Sequence, residues 1–139
     1  MFLKRRAGNC IFNIVSKKET VELIRRVKSR GINITCETCP HYFVYTKNGL
    51  ATKVNPPLAK KEDILATKDG LAEGTIDVIS SDYAPLPRKT GIASFNSFIP
   101  LSYGLVLEGV LSEKQLKEKL FTNPKRIIES GGYKLNIKC

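Results

Sequence analysis

Hydrophobic positions along this chain follow two rhythms: short continuous runs, and stripes at helical spacing. The runs at 10–15, 32–37 and 74–79 are rich in β-branched side chains and read as buried strands. A shorter run at 52–55, closed by Pro56-Pro57, reads as another strand. Between them, Val21, Ile24 and Val27 form one stripe with Leu23 beside it. Ile64, Leu65 and Leu71 point inward from a helix predicted over 60–71. Ser16-x-x-Glu19 has the spacing of a capping box with Ser16 as N-cap, and Gly31 stops the helix it opens. Tyr42 to Tyr45 reads as a short extended piece, and Asn48-Gly49 as a turn.

After the 74–79 run come a proline-containing loop at 86–90 and a helix over 95–107, in spite of Pro100 and Gly104. Ser112-x-x-Gln115 is a second capping box, opening a helix with Leu116 and Leu120 inward. Asn123-Pro124 starts a last helix, ended by Gly131-Gly132. Residues 133–139 form a short alternating tail. Strand and helix thus alternate, with strands about 20–25 residues apart, which is the signature of βα units and a parallel sheet.

Length and charge change this picture little. The 139 residues suit one domain with a real core. No apolar run is long enough for a membrane span, and Met1 to Arg6 lack the apolar region of a signal peptide, so the expected location is the cytoplasm. The net charge of +10 admits an acidic partner such as nucleic acid, but the lysines are scattered rather than gathered into a stripe, and no nucleic-acid-binding motif stands out. Cys36-x-x-Cys39 followed by His41, with Cys10 as a fourth donor, is a weak zinc signal. No second CxxC exists, and Pro40 follows a strand where a redox CxxC opens a helix.

Parallel strands joined by right-handed crossovers end on one side of the sheet. Asn13 or Ile14, His41, Asn55 and Asp82 all follow predicted strands, so they converge on one face. Asp82 alone reads as a solvated loop carboxylate, and His41 alone as a structural histidine. Sharing a strand-end rim makes the two a candidate metal and proton-transfer pair.

Glu37-Thr38-Cys39-Pro40-His41-Tyr42, Lys53-Val54-Asn55-Pro56-Pro57-Leu58 and the 74–82 stretch stand in the order and spacing seen in dihydroorotases. Ser16-x-x-Glu19-x-Val21-Glu22-Leu23-Ile24 and Thr122-Asn123-Pro124-Lys125-Arg126-Ile127 also fit. From residue 10 to about residue 130 the chain resembles the C-terminal half of a dihydroorotase, in the amidohydrolase superfamily close to allantoinase and dihydropyrimidinase. The resemblance implies an α/β fold, half of a (β/α)8 barrel with four parallel βα units plus C-terminal helices, as a single partial domain. It also implies zinc as the family's cofactor and the reversible cyclisation of carbamoyl-aspartate to dihydroorotate, a step of pyrimidine biosynthesis. By position His41 matches a metal ligand, Asn55 a substrate-binding residue, and Asp82 both a metal ligand and the catalytic base.

The departures are as informative. Where the family carries a histidine ligand after an earlier strand, this chain has Ile14 or Asn13. Two further histidine positions are Tyr83 and Leu86, and a usual arginine is Ala59. Two ligands remain of the three that a catalytic zinc normally takes from protein, which leaves open whether this chain binds the metal. A barrel needs about 250 residues. The expectation is therefore a chain inactive alone, completed by an N-terminal half-barrel chain, by self-association or beside aspartate transcarbamoylase. It would act on a small-molecule substrate only when completed. The alternative is a non-catalytic scaffold of the same fold.

Overall fold

The computed structural model describes residues 10–49, 53–84 and 92–132. Three parallel strands, β1 (Cys10–Phe12), β2 (Ile34–Thr38) and β3 (Val78–Ile79), form a sheet in chain order. The helix α1 (Lys18–Ser29) connects β1 to β2. A short helix, α2 (Pro40–Val44), and a longer one, α3 (Lys61–Glu73), lie between β2 and β3. After β3 come α4 (Phe95–Leu107), α5 (Glu113–Lys117), a π-helical segment Glu118–Thr122, and α6 (Asn123–Ser130).

The main core lies between this sheet and the helices. Val15, Val21, Ile24, Phe43, Leu71 and Ile76 are all buried there. Gly70 marks the tightest approach: a Cβ at this position would stand 3.0 Å from Val21 Cγ1 and 3.1 Å from Ile76 Cδ1. The helix-weakening glycine is thus what lets α3 close on α1 and on the entry to β3. At the other end of α3, Gly74 takes a φ of 88°, the left-handed turn that ends a helix and that glycine adopts without strain.

The start of β3 is pinned by a largely buried charge. Asp77 Oδ2 accepts from Lys28 Nζ at 2.6 Å and from the backbone N–H of Cys36 at 2.9 Å. The Asp77 N–H donates to the Cys36 carbonyl at 3.0 Å, and Asn123 Nδ2 donates to the Asp77 carbonyl at 2.9 Å. One residue thereby ties α1, β2 and α6 to the strand it precedes.

Several local expectations are corrected. Ser16 does not cap α1: the N-cap is Lys17, and Ser16 is buried. Asp63 of α3 supplies the cap instead, its Oδ1 accepting from the Lys18 N–H at 2.9 Å while its Oδ2 accepts from the Lys60 N–H at 2.9 Å. Tyr42 to Val44 are helical rather than extended, because Pro40 at the first helical position opens α2, and only Tyr45 is extended. Residues 53–55 form no strand. Val54 and Leu58 pack instead into a second cluster with Cys39 and Tyr42, and β2 pairs directly with β3, leaving no slot between them. Leu65 is 55% exposed rather than inward. The loop at 86–90 and the tail at 133–139 lie outside the described residues. The second capping box stands as expected, with Ser112 Oγ accepting from Gln115 N and Gln115 Oε1 accepting from Ser112 N.

Among the described residues no helix is long and apolar enough to cross a membrane. On α4, Phe95, Ile99, Tyr103 and Leu107, spaced four apart, are all exposed.

The double cap has a measurable consequence. Burial works against the Asp63 charge, but the two backbone N–H groups and Lys17 outweigh it and hold the carboxyl below its ordinary range. Asp63→Ala orphans donors at two helix N-termini and should cost about 2 kcal/mol in urea unfolding, with Asp63→Asn losing less. A loss below about 0.5 kcal/mol would contradict this role.

A candidate metal and acid–base site at the strand ends

Parallel pairing sets Glu37 opposite Val78 and Thr38 opposite Ile79, and the Ser80 N–H continues the ladder to the Thr38 carbonyl at 2.9 Å. One register step further, Cys39 Sγ and Ser80 Oγ lie 3.4 Å apart. His41 and Asp82 stand three residues beyond Thr38 and Ile79, and they meet: His41 Nε2 is 3.7 Å from Asp82 Oδ2. The convergence expected from strand-end logic is present for this pair.

Each chain reversal has a local cause. Cys39 is extended, with φ −127° and ψ 155°, and Pro40 then fixes the first turn of α2, so His41 follows the strand directly into a helix. Asp82 has a φ of 47°, a left-handed conformation that aspartate tolerates better than most residues. Ile14, two residues past the end of β1, has a φ of 34°, which is strained for a β-branched side chain.

His41 is 2% exposed, and among the described residues neither ring nitrogen has a hydrogen-bond partner. At 3.7 Å the Asp82 carboxylate lies beyond hydrogen-bond range, and burial pushes the imidazole down to about 4, so the ring is neutral and offers a lone pair. Desolvation raises the Asp82 carboxyl above its ordinary range. The His41 and Tyr42 rings lie 4.2 Å apart between centroids. Tyr42 donates its hydroxyl proton to the Pro56 carbonyl at 2.7 Å, tying the 53–58 loop to α2. Asn55 is exposed on that loop, beside Pro56.

The two cysteines of the CxxC part company. Cys36 is buried in the main core, its Sγ donating to the Thr75 carbonyl at 3.3 Å, while Cys39 belongs to the second cluster. Although α2 does open beside Cys39, the thiols do not form one site, and the side chain of Cys10 lies outside the described residues. Cys39 Sγ, a His41 ring nitrogen and an Asp82 carboxylate oxygen instead all lie within 4.8 Å of one another. The signal in the sequence was the Cys39-Pro40-His41 spacing at a strand end rather than the CxxC. A cleft of about 510 Å³ opens at the opposite end of the sheet between Lys28, Asn33, Asp77 and Arg126, away from this chemistry.

No family model matches the chain. A dihydroorotase from Geotalea daltonii is 43% identical to it over 82% of this chain and 30% of that protein. This chain is a dihydroorotase homologue. A second dihydroorotase, from Trichlorobacter lovleyi, is 42% identical over 84% of the chain and 31% of its own length. The chain thus spans about 30% of the length of the curated relatives it matches. Among solved structures, the L-hydantoinase (dihydropyrimidinase) from Arthrobacter aurescens superposes with a TM-score of 0.80 at 26% identity, over 91% of this chain and 32% of that one. An inactive dihydroorotase-like domain of a Chaetomium thermophilum CAD-like multifunctional protein gives 0.68 at 25% identity, over 87% of this chain and 37% of that one. The small parallel sheet and its helices are part of a TIM-type amidohydrolase barrel.

Dihydroorotases and hydantoinases are metal-dependent. The residues present fit such a group: a buried imidazole with two orphaned nitrogens, a carboxylate beside it and a thiol within reach. Of the two positions where the resemblance expects a histidine, Ile14 is partly buried against the Cys39–Tyr42 cluster and offers no donor, and Asn13 is exposed.

A neutral folded imidazole fixes the sign of a pH effect. The unfolded chain binds a proton near pH 6.5 and the folded chain only near pH 4, so His41 makes stability fall as pH drops through that window. In metal-free protein, the loss between about pH 7 and about pH 4.5 should be roughly 2 kcal/mol larger than in His41→Phe. Equal pH dependence in the two proteins would mean the imidazole is not held neutral.

Proposed function

We propose that this chain supplies the His41–Asp82 rim of a dihydroorotase-like amidohydrolase barrel and is catalytically silent until the rest of that barrel is present. The observation that carries this reading is the buried, unpartnered His41 imidazole 3.7 Å from the Asp82 carboxylate at one strand end. The substrate is the dihydroorotate and carbamoyl-aspartate pair, in keeping with the dihydroorotases that the chain resembles at 42–43% identity.

In this reading His41 and Asp82 would hold a zinc-class ion, which would supply Lewis acidity and lower the pKa of a bound water. Asp82, at the strand end beside His41, accepts the proton that the attacking water gives up and returns it to the leaving amide nitrogen. Asn55, on the loop held by Tyr42, contacts the ring of the substrate. The three-stranded sheet gives the chain only part of a barrel wall, and the open α4 stripe is apolar surface for a complementary chain to cover. The partner is therefore a chain or segment that completes the barrel.

Co-expression with the remaining part of a relative, such as the Geotalea daltonii dihydroorotase, tests this directly. Zinc-supplemented dihydroorotate hydrolysis should appear only in the combined sample, and Asp82→Asn should reduce it by at least about 100-fold. An assembled complex with no turnover would overturn the catalytic reading and leave the chain a scaffold.

A further inference from the structure

We infer that Cys39 is a third protein ligand, so that this chain by itself makes a Cys–His–Asp site for one zinc-class divalent ion with an open fourth position. The inference rests on the reading above in sharing His41 and Asp82, and adds a sulfur donor that the resemblance does not supply.

The three donor atoms stand close enough together to converge on one ion. With zinc–ligand bonds of about 2.0–2.3 Å, neighbouring ligand atoms stand about 3.3–3.8 Å apart. His41 Nε2 and Asp82 Oδ2 are 3.7 Å apart, and Cys39 Sγ lies within 4.8 Å of a His41 ring nitrogen and of an Asp82 carboxylate oxygen. The second, independent observation is the imidazole itself. It is 2% exposed, with no partner for either nitrogen among the described residues, and buried polar atoms in folded proteins are nearly always satisfied. An ion at this point satisfies one nitrogen directly.

Cys39 is fully buried, and its thiol meets Ser80 Oγ at 3.4 Å. That hydroxyl is placed to donate to a bound thiolate and fix its orientation, as outer-shell groups do. The first βα unit cannot contribute a ligand through Ile14, so a third donor has to come from elsewhere on the rim. Cys39 is the soft donor beside the pair, and sulfur selects zinc or cobalt over magnesium or calcium. Three protein ligands leave one position for water, as in a catalytic rather than a closed structural site.

Cobalt(II) added to the full chain, expressed alone, gives the test, because thiolate ligation has its own near-ultraviolet charge-transfer band. One ion per chain is expected, with that band present. Cys39→Ser should abolish the band and weaken cobalt binding by at least about tenfold, whereas Cys36→Ser should change neither. Cys39→Ala serves as the second variant if serine disturbs folding, with circular dichroism as the check on both. Cobalt that binds through His41 and Asp82 without a thiolate band overturns the role of Cys39 and leaves the proposed function standing. A band that survives Cys39→Ser or disappears in Cys36→Ser overturns it as well, as does a folded chain that binds no cobalt. Failure of the barrel-completion assay leaves these spectra untouched, so the two readings fail separately.

Discussion

Parallel pairing of β2 with β3 sets Thr38 opposite Ile79, and everything chemical in this chain lies a fixed number of residues beyond that step. Because the ladder continues through Ser80 to Thr38, the next residues of both strands leave the sheet side by side. Cys39 meets Ser80, and His41 meets Asp82. A slip of one residue would move these side chains to the opposite face and separate them. The register is held from below by Asp77, whose carboxylate bonds both Lys28 and the Cys36 N–H. A largely buried ion pair with an added backbone bond is costly to disrupt, because removing one partner strands the other charge.

The rim built on that register is polar where the fold alone would favour apolar side chains. A buried histidine with two unpartnered nitrogens is destabilising unless something binds it, and Ile14 and Asp82 both hold left-handed backbone conformations beside it. Neither feature improves packing. Strain and unsatisfied polarity gathered at the C-terminal ends of parallel strands are what an amidohydrolase barrel concentrates where its chemistry occurs. The apolar Ile14 in the same cluster shows that the rim has also lost a donor relative to the resemblance, which leaves Cys39 as the adjacent source of another.

Much of the fold was legible because its signals are local. The helix over 95–107 matches α4, and the Ser112–Gln115 box caps α5 as its spacing requires. The misses share a cause, in that the deciding partner lies far away in sequence. Asp63, not Ser16, caps α1, and no window around residue 16 contains that carboxylate. The 53–55 segment has strand-like side chains, yet β2 and β3 are already neighbours, so Val54 packs into the second cluster and Tyr42 secures the loop. His41 and Asp82 were readable as a pair because strand ends converge by topology. The part played by Cys39 was not, since the CxxC spacing suggested Cys36 as its companion and the fold sends Cys36 into the main core.

His41 is the single histidine of the chain, so its imidazole nitrogen resonances can be observed without ambiguity. The most direct test of the central claim is their position in metal-free protein at about pH 6, before and after Asp82→Asn. A neutral ring whose resonances shift on that substitution is the predicted result. An imidazole that is largely protonated at that pH and indifferent to residue 82 would mean that the two side chains do not share a rim.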